Sequence, residues 1–302
     1  MITRGGIDIG EIDENKLDLM SSADCARGQL QRICLKLLRE HREHGDDGLP
    51  TNNRFLAYEL MQRGTIVKHN DKGKRRGDQN MHEALTHLRE TGIVPWPWLD
   101  DESRKPIFNP SWDSLAEWAT TMVGYVRLNP WDGRPPRVIT ESRAVAGVLR
   151  NLARQYCVHV FPTGGQCGGW LRTVVAPQLR PRDRVFYAGD LDLSGGQIEA
   201  NTRAVLERLI GGELDWTRIA LTEDQVDEYD LRQWAITKVD KRYGDKRQGT
   251  HQAIECEALK QHVIVDIVRD QLNALLPEPL EDVLEREARQ RRRIAAKLNG
   301  GR

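Results

Sequence analysis

A regular alternation of short apolar runs and amphipathic stretches between residues 138 and 221 restricts the fold more than any other feature of the chain. Val138-Ile139-Thr140, Cys157 to Phe161, Arg184 to Ala188 and Thr217 to Leu221 each have the length and composition of a buried strand. Between them, Ser142 to Tyr156 places Val145, Val148, Leu149 and Leu152 at helical spacing, and Gln197 to Ile210 reads as a second helix. Apolar strands each followed by a helix predict a parallel sheet covered on both faces. The expected class is α/β for this stretch and α+β for the chain as a whole.

Upstream the pattern is helical. Leu30, Ile33, Leu35, Leu37 and Leu38 recur at three- and four-residue spacings, and a second helix opens at Pro50-Thr51-Asn52, where Thr51 or Asn52 can cap it, and stops at Gly64. A third runs from Asp78 to Glu90, with Met81, Ala84, Leu85 and Leu88 on one face. Ile66-Val67 reads as a β-like pair and Ile93 to Trp96 as extended. The expected organisation is an acidic arm over 1–25 and a winged-helix DNA-binding domain over 26–105. A Trp- and Pro-rich connector over 106–134 follows, then the parallel-sheet domain over 135–235. A basic loop with C-terminal helices occupies 236–302.

Composition narrows the function. Lys plus Arg equals Asp plus Glu at 45 each, but the balance is a cancellation. Residues 183–230 are strongly acidic, whereas 65–76 and 285–302 are basic. Such a chain can gather cations at one place and phosphates at others. Lys68, Lys72, Lys74, Arg75 and Arg76 form a candidate phosphate-contacting loop, although a solvated loop explains the same charges. Five scattered cysteines without a Cys-x-x-Cys spacing indicate neither a disulfide framework nor a zinc site. No apolar run is long enough for a membrane span and no secretory leader is visible, so a cytoplasmic protein without a membrane partner is expected.

The chemistry concentrates at strand ends. In an open parallel sheet, ligands bind at the carboxyl edge. Glu141 follows the first strand, and Asp190 and Asp192 follow the third. If those strands are neighbours, three carboxylates converge, and such a group repels itself unless a divalent cation lies between its members. Hard oxygen ligands with open positions suit Mg²⁺. Ser194-Gly195-Gly196 reads as a tight turn into the next helix. Gly164-Gly165-Gln166-Cys167-Gly168-Gly169 lacks the Lys-Ser/Thr of a nucleotide P-loop and reads instead as a loop facing the metal site.

Glu141 after Val138-Ile139-Thr140, together with Gly189-Asp190-Leu191-Asp192-Leu193-Ser194-Gly195, resembles the Toprim domain of primases, topoisomerases and OLD-type nucleases. The order of a helical domain before it, and the later Ile254-Glu255-Cys256-Glu257-Ala258-Leu259, resemble the A subunit of topoisomerase VI and the related meiotic double-strand-break protein. The resemblance implies that Glu141, Asp190 and Asp192 hold Mg²⁺, with Glu141 also an acid/base residue. It further implies a double-stranded DNA substrate, a homodimer and a separate ATPase subunit. That family attacks DNA through a tyrosine in a segment of the type Arg-acid-x-Tyr-Tyr. Arg54-Phe55-Leu56-Ala57-Tyr58 keeps the Arg and the last Tyr, but Phe55 and Ala57 replace the acid and the first Tyr. Tyr58 is thus a candidate nucleophile assisted by Arg54, or else simply a half-buried helix tyrosine. The expected activity is Mg²⁺-dependent DNA cleavage by transesterification. A hydrolytic Toprim nuclease and a non-catalytic DNA-binding protein are the alternatives.

Overall fold

The computed structural model describes residues 3–4, 7–67, 77–100, 110–165, 167–232, 234–236 and 251–299. A short hairpin of β1 (Thr3–Arg4) and β2 (Ile7–Asp8) leads into the helical half. The following stretch is not a free arm. Ile9 is buried, Ile12, Leu17 and Met20 pack on the helical core, and Trp98 Nε1 donates to the Gly10 carbonyl at 3.1 Å. These apolar residues are too widely spaced to show a period, yet each lands on the same core.

That core lies between α1 (Ala26–Glu43), α2 (Asn53–Gln62) and α3 (Gly77–Glu90), around Leu38, Leu60, Met81, Leu88 and the buried Trp98. Asn52 caps α2, its Oδ1 accepting from the N–H groups of Arg54 and Phe55 at 3.0 and 3.2 Å. At the far end Gly64 adopts φ +69°, the left-handed geometry that stops a helix. β3 (Thr51–Asn52) pairs in parallel with β4 (Leu99–Asp100), tying the start of α2 to the residues after α3. Ile66 and Val67 form no strand. Ile66 is buried against the helices instead, because burial outweighs the β preference of so short a pair. Lys68, Lys72, Lys74, Arg75 and Arg76 lie outside the described residues. So do residues 101–109, across the expected boundary between the winged-helix domain and the connector, and residues 237–250, which include the basic stretch.

After α4 (Leu115–Tyr125), β5 (Arg137–Thr140), β6 (His159–Pro162), β7 (Arg184–Ala188) and β8 (Asp215–Ala220) form a fully parallel sheet in the order β6-β5-β7-β8. Thr140 is level with both Pro162 and Ala188, so three strands finish together at one edge. The single helix expected over 142–156 is two, α5 (Arg143–Val148) and α6 (Arg150–Gln155). The break falls at Leu149, two residues after Gly147, where a poor helix former makes interruption cheap. Val145, Val148, Leu149 and Leu152 all remain buried across it. A short helix, α7 (Gly168–Trp170), and irregular turns follow β6. α8 (Leu193–Ile210) follows β7, and α9 (Glu223–Glu228) follows β8.

β9 (Trp234–Ile236) pairs antiparallel with β10 (His251–Ala253), and α10 (Gln261–Asn273) and α11 (Leu280–Asn299) complete the chain. Both faces of the sheet are covered. Val138 and Phe186 pack with α5 and with Ile264 and Val268 of α10. Ile139, Val185 and Tyr187 pack with Leu206 of α8 and with Leu171 and Leu214. The molecule is therefore of mixed α/β class, and among the described residues no helix is long and apolar enough to cross a membrane.

Candidate active site

The sheet brings together the carboxylates that the sequence pattern singled out. β5 and β7 are neighbours, so Glu141 and the Asp190–Asp192 loop leave the sheet side by side. Each of the three carboxylates uses one oxygen on a backbone amide. Glu141 Oε2 accepts from Asp190 N at 3.2 Å, Asp190 Oδ1 from Cys256 N at 2.9 Å, and Asp192 Oδ1 from Gly195 N at 2.6 Å. The last of these is the N-cap of α8, so Ser194, Gly195 and Gly196 form the first turn of that helix and not a separate turn. Gly195 is demanded by close approach: a Cβ there would stand 2.3 Å from the Asp190 carbonyl oxygen. From β8, the Arg218 guanidinium donates to the Gly189 and Asp190 carbonyls at 2.9 and 2.7 Å and holds the same loop from the other side.

Two acids that spacing alone did not assign to the site join it. Leu191 and Ile254 exchange backbone hydrogen bonds of 2.8 and 3.2 Å, which lays the segment after β10 along the Asp190 loop. Glu257 becomes fully buried, and Glu255 partly so. Arg54 reaches across from α2, placing Nη2 2.6 Å from Glu255 and Nε 2.5 Å from Glu257. Ser142 Oγ donates to the same oxygen of Glu257, leaving Oε2 buried without a hydrogen-bond partner. The signal for these residues was the acidic Ile254–Leu259 segment. Its contact with Asp190 depends on a chain reversal some sixty residues downstream that no local pattern encodes.

Tyr58 lies in this network. Its ring sits 5.5 Å from the Arg54 guanidinium carbon and its hydroxyl bonds to Glu255. It is only 7% exposed, and it does not line the cleft described next. Burial and the Glu255 carboxylate push its phenol well above the ordinary value.

A cleft of about 840 Å³ opens between the helical half and the carboxyl edge of the sheet. Asn52, Asn53, Arg54, His82 and Arg89 line it from one side, and Glu141, Ser142, Arg143, Gly164, Gly165 and Asp190 from the other. Gly164 and Gly165 thus line the same cleft as Glu141 and Asp190. Arginine and carboxylate share one concave surface, which suits an anion that must meet a cation held by the acids.

The electrostatics point the same way. Burial raises the pKa of Asp190 to about 8. The Glu257 and Glu141 charges add to this, while the Cys256 N–H only partly offsets them. Burial also pushes Glu141 up, against the Asp190 N–H and with the charges of Asp192 and Glu257. Glu257 is raised by burial despite Arg54 and Ser142. Without a cation, these buried and crowded carboxyls therefore favour their protonated forms, a bias that a bound cation would reverse.

Among the described residues no three His, Cys, Asp or Glu side chains form a ready-made enclosure for a metal ion. The donor set nevertheless has the chemistry of a hard divalent cation. Mg²⁺ is commonly held by one or two carboxylates, with water and substrate phosphate completing its shell, and not by an all-protein cage. No family model and no curated protein matches the chain.

Proposed function

We propose that this chain is a Mg²⁺-dependent DNA-cleaving enzyme whose α/β domain is of the Toprim type, allied to the topoisomerase VI A subunit. The observation that carries this reading is the placement of Glu141, Asp190 and Asp192 at the carboxyl edge of adjacent parallel strands, with Glu141 and Asp190 in a cleft shared with Arg54, Arg89 and Arg143. Mg²⁺, when bound by Glu141, Asp190 and Asp192, would supply charge stabilisation at the scissile phosphate. The chain's own residues orient the ligands. Backbone amides fix one oxygen of each carboxylate, Arg218 clamps the Asp190 loop, and Arg54 neutralises Glu255 and Glu257.

Hydrolysis is the favoured form of the reaction, because a water can reach the cleft whereas Tyr58 is buried and off its wall. One observation favours attack by Tyr58 instead: its hydroxyl is bonded to Glu255, a carboxylate placed to take the proton, with Arg54 beside both. In that form the homodimer, the double-stranded substrate and the separate ATPase subunit implied by the resemblance come with it.

The two forms separate in one assay. Supercoiled plasmid is incubated with the protein and Mg²⁺, then denatured with and without protease. Cleavage that needs no protease to reveal free ends and survives Tyr58→Phe supports hydrolysis. Protein covalently attached to DNA ends, lost in Tyr58→Phe, supports transesterification. If neither product forms while DNA is still bound, both cleavage readings fail.

A further inference from the structure

Of the three arginines that line the cleft, Arg54 is spent on carboxylates, but two are not. Arg89, from α3, donates Nη2 to the Trp96 carbonyl at 3.0 Å, and among the described residues it has no acidic partner. Its Nε is buried without any acceptor. Arg143, at the start of α5 on the other wall, likewise forms no ion pair among the described residues. A buried guanidinium donor left unsatisfied costs free energy, and an anion entering the cleft would remove that cost.

Beside Arg89 stands an aromatic surface. The Arg89 guanidinium carbon lies 4.1 Å from the centroid of the Trp96 ring, and Trp96 is 53% exposed. Pro95 and Pro97 flank it in a single 3₁₀ turn, while the neighbouring Trp98 is fully buried and anchors that turn. The ring is therefore held in place with accessible surface beside a cleft-lining cation. Unpaired cations along a groove with a rigid aromatic at its margin are the elements by which proteins hold an unpaired nucleic-acid strand. The dimensions agree. A cleft of about 840 Å³ is of the size that encloses a small ligand or a short run of nucleotides.

We infer that the DNA segment held in this cleft is single-stranded, with Arg89 and Arg143 on its phosphates and a base stacked on Trp96. The inference rests on the nucleic-acid reading above and names the form of its substrate.

The test is fluorescence anisotropy in EDTA, using the full chain, a labelled DNA strand, and the same strand annealed to its complement. The strand is expected to bind at least about tenfold more tightly than the duplex. Trp96→Ala should weaken strand binding roughly tenfold and Trp96→Phe less, since loss of one base stack has about that effect. Arg89→Gln combined with Arg143→Gln should lower the slope of log affinity against log salt by about 1.4, the share of two phosphate contacts on a single strand. Equal affinity for strand and duplex would overturn the inference, as would strand affinity unchanged by both Trp96→Ala and the arginine pair. Because binding is read without metal, a failure to cleave DNA leaves these expectations intact. Equal affinities would sink the inference without touching the cleavage reading.

Discussion

Gly195 offers a sharp test of how the Asp190–Asp192 loop is built. An added Cβ would stand 2.3 Å from the Asp190 carbonyl oxygen and 3.0 Å from its carbonyl carbon. Both are backbone atoms that cannot rotate away, so Gly195→Ala must push the loop from the start of α8. Overpacking of this kind costs about 1–3 kcal/mol. The displacement also disrupts the 2.6 Å Asp192 cap on Gly195 N, and loss of a cap costs about 1 kcal/mol. Destabilisation of about 2–4 kcal/mol is therefore expected. Gly196 is the control, because nothing lies within 4 Å of a Cβ built there. Gly196→Ala should stabilise by up to about 1 kcal/mol through helix propensity alone. Urea unfolding followed by circular dichroism would read both variants against the parent. If Gly195→Ala unfolds at the same urea concentration as Gly196→Ala, the close approach that defines this loop is wrong.

Other outcomes follow from the charges. The raised pKa of Asp190 means that the folded protein binds a proton the unfolded chain has released. In EDTA its contribution to stability should be complete below about pH 4 and decline by up to about 1.4 kcal/mol per pH unit until about pH 8. Asp190→Asn should flatten that decline in a pH series of urea midpoints, and an unchanged slope would refute the assignment. Arg54→Ala leaves Glu257 buried without its counter-charge and should destabilise by about 3 kcal/mol, discounted for the half-exposed Arg54 side chain. Adding Glu257→Gln to Arg54→Ala should recover much of this loss in a double-mutant cycle, and strict additivity would show that the pair is not coupled. Arg218→Lys keeps the charge but cannot donate to both the Gly189 and Asp190 carbonyls and the Glu199 carboxylate. It should weaken Mn²⁺ binding measured by calorimetry more than it weakens the fold.

The parallel sheet was legible because its strands are apolar on both faces and each precedes a helix. Glu141, Asp190 and Asp192 were legible because they stand at strand ends. Local pattern failed where a distant contact decided the outcome. Nothing near Glu257 in the chain announces that Ser142 and Arg54 will surround it, and Ile9 and Leu17 carry no period although both meet the helical core. The turn expected at Ser194–Gly196 is helical because the Asp192 side chain caps α8 directly, and the glycine there serves close approach and not a reversal of the chain. Tyr58 was visible as a tyrosine one turn from an arginine, but its ring is buried in the helical core and its hydroxyl partner, Glu255, comes from the far end of the chain.

The central claim is that Glu141, Asp190 and Asp192 form a cation-dependent phosphodiester-cleaving edge. Its most direct test is the single-turnover cleavage rate of a labelled DNA strand across a Mg²⁺ titration, for the parent protein and for Asp190→Asn and Glu141→Gln variants shown to be folded. The account predicts saturable, Mg²⁺-dependent cleavage in the parent that falls by at least about a hundredfold in either variant. Cleavage that proceeds equally well in Asp190→Asn, or in the parent without any divalent cation, would contradict it.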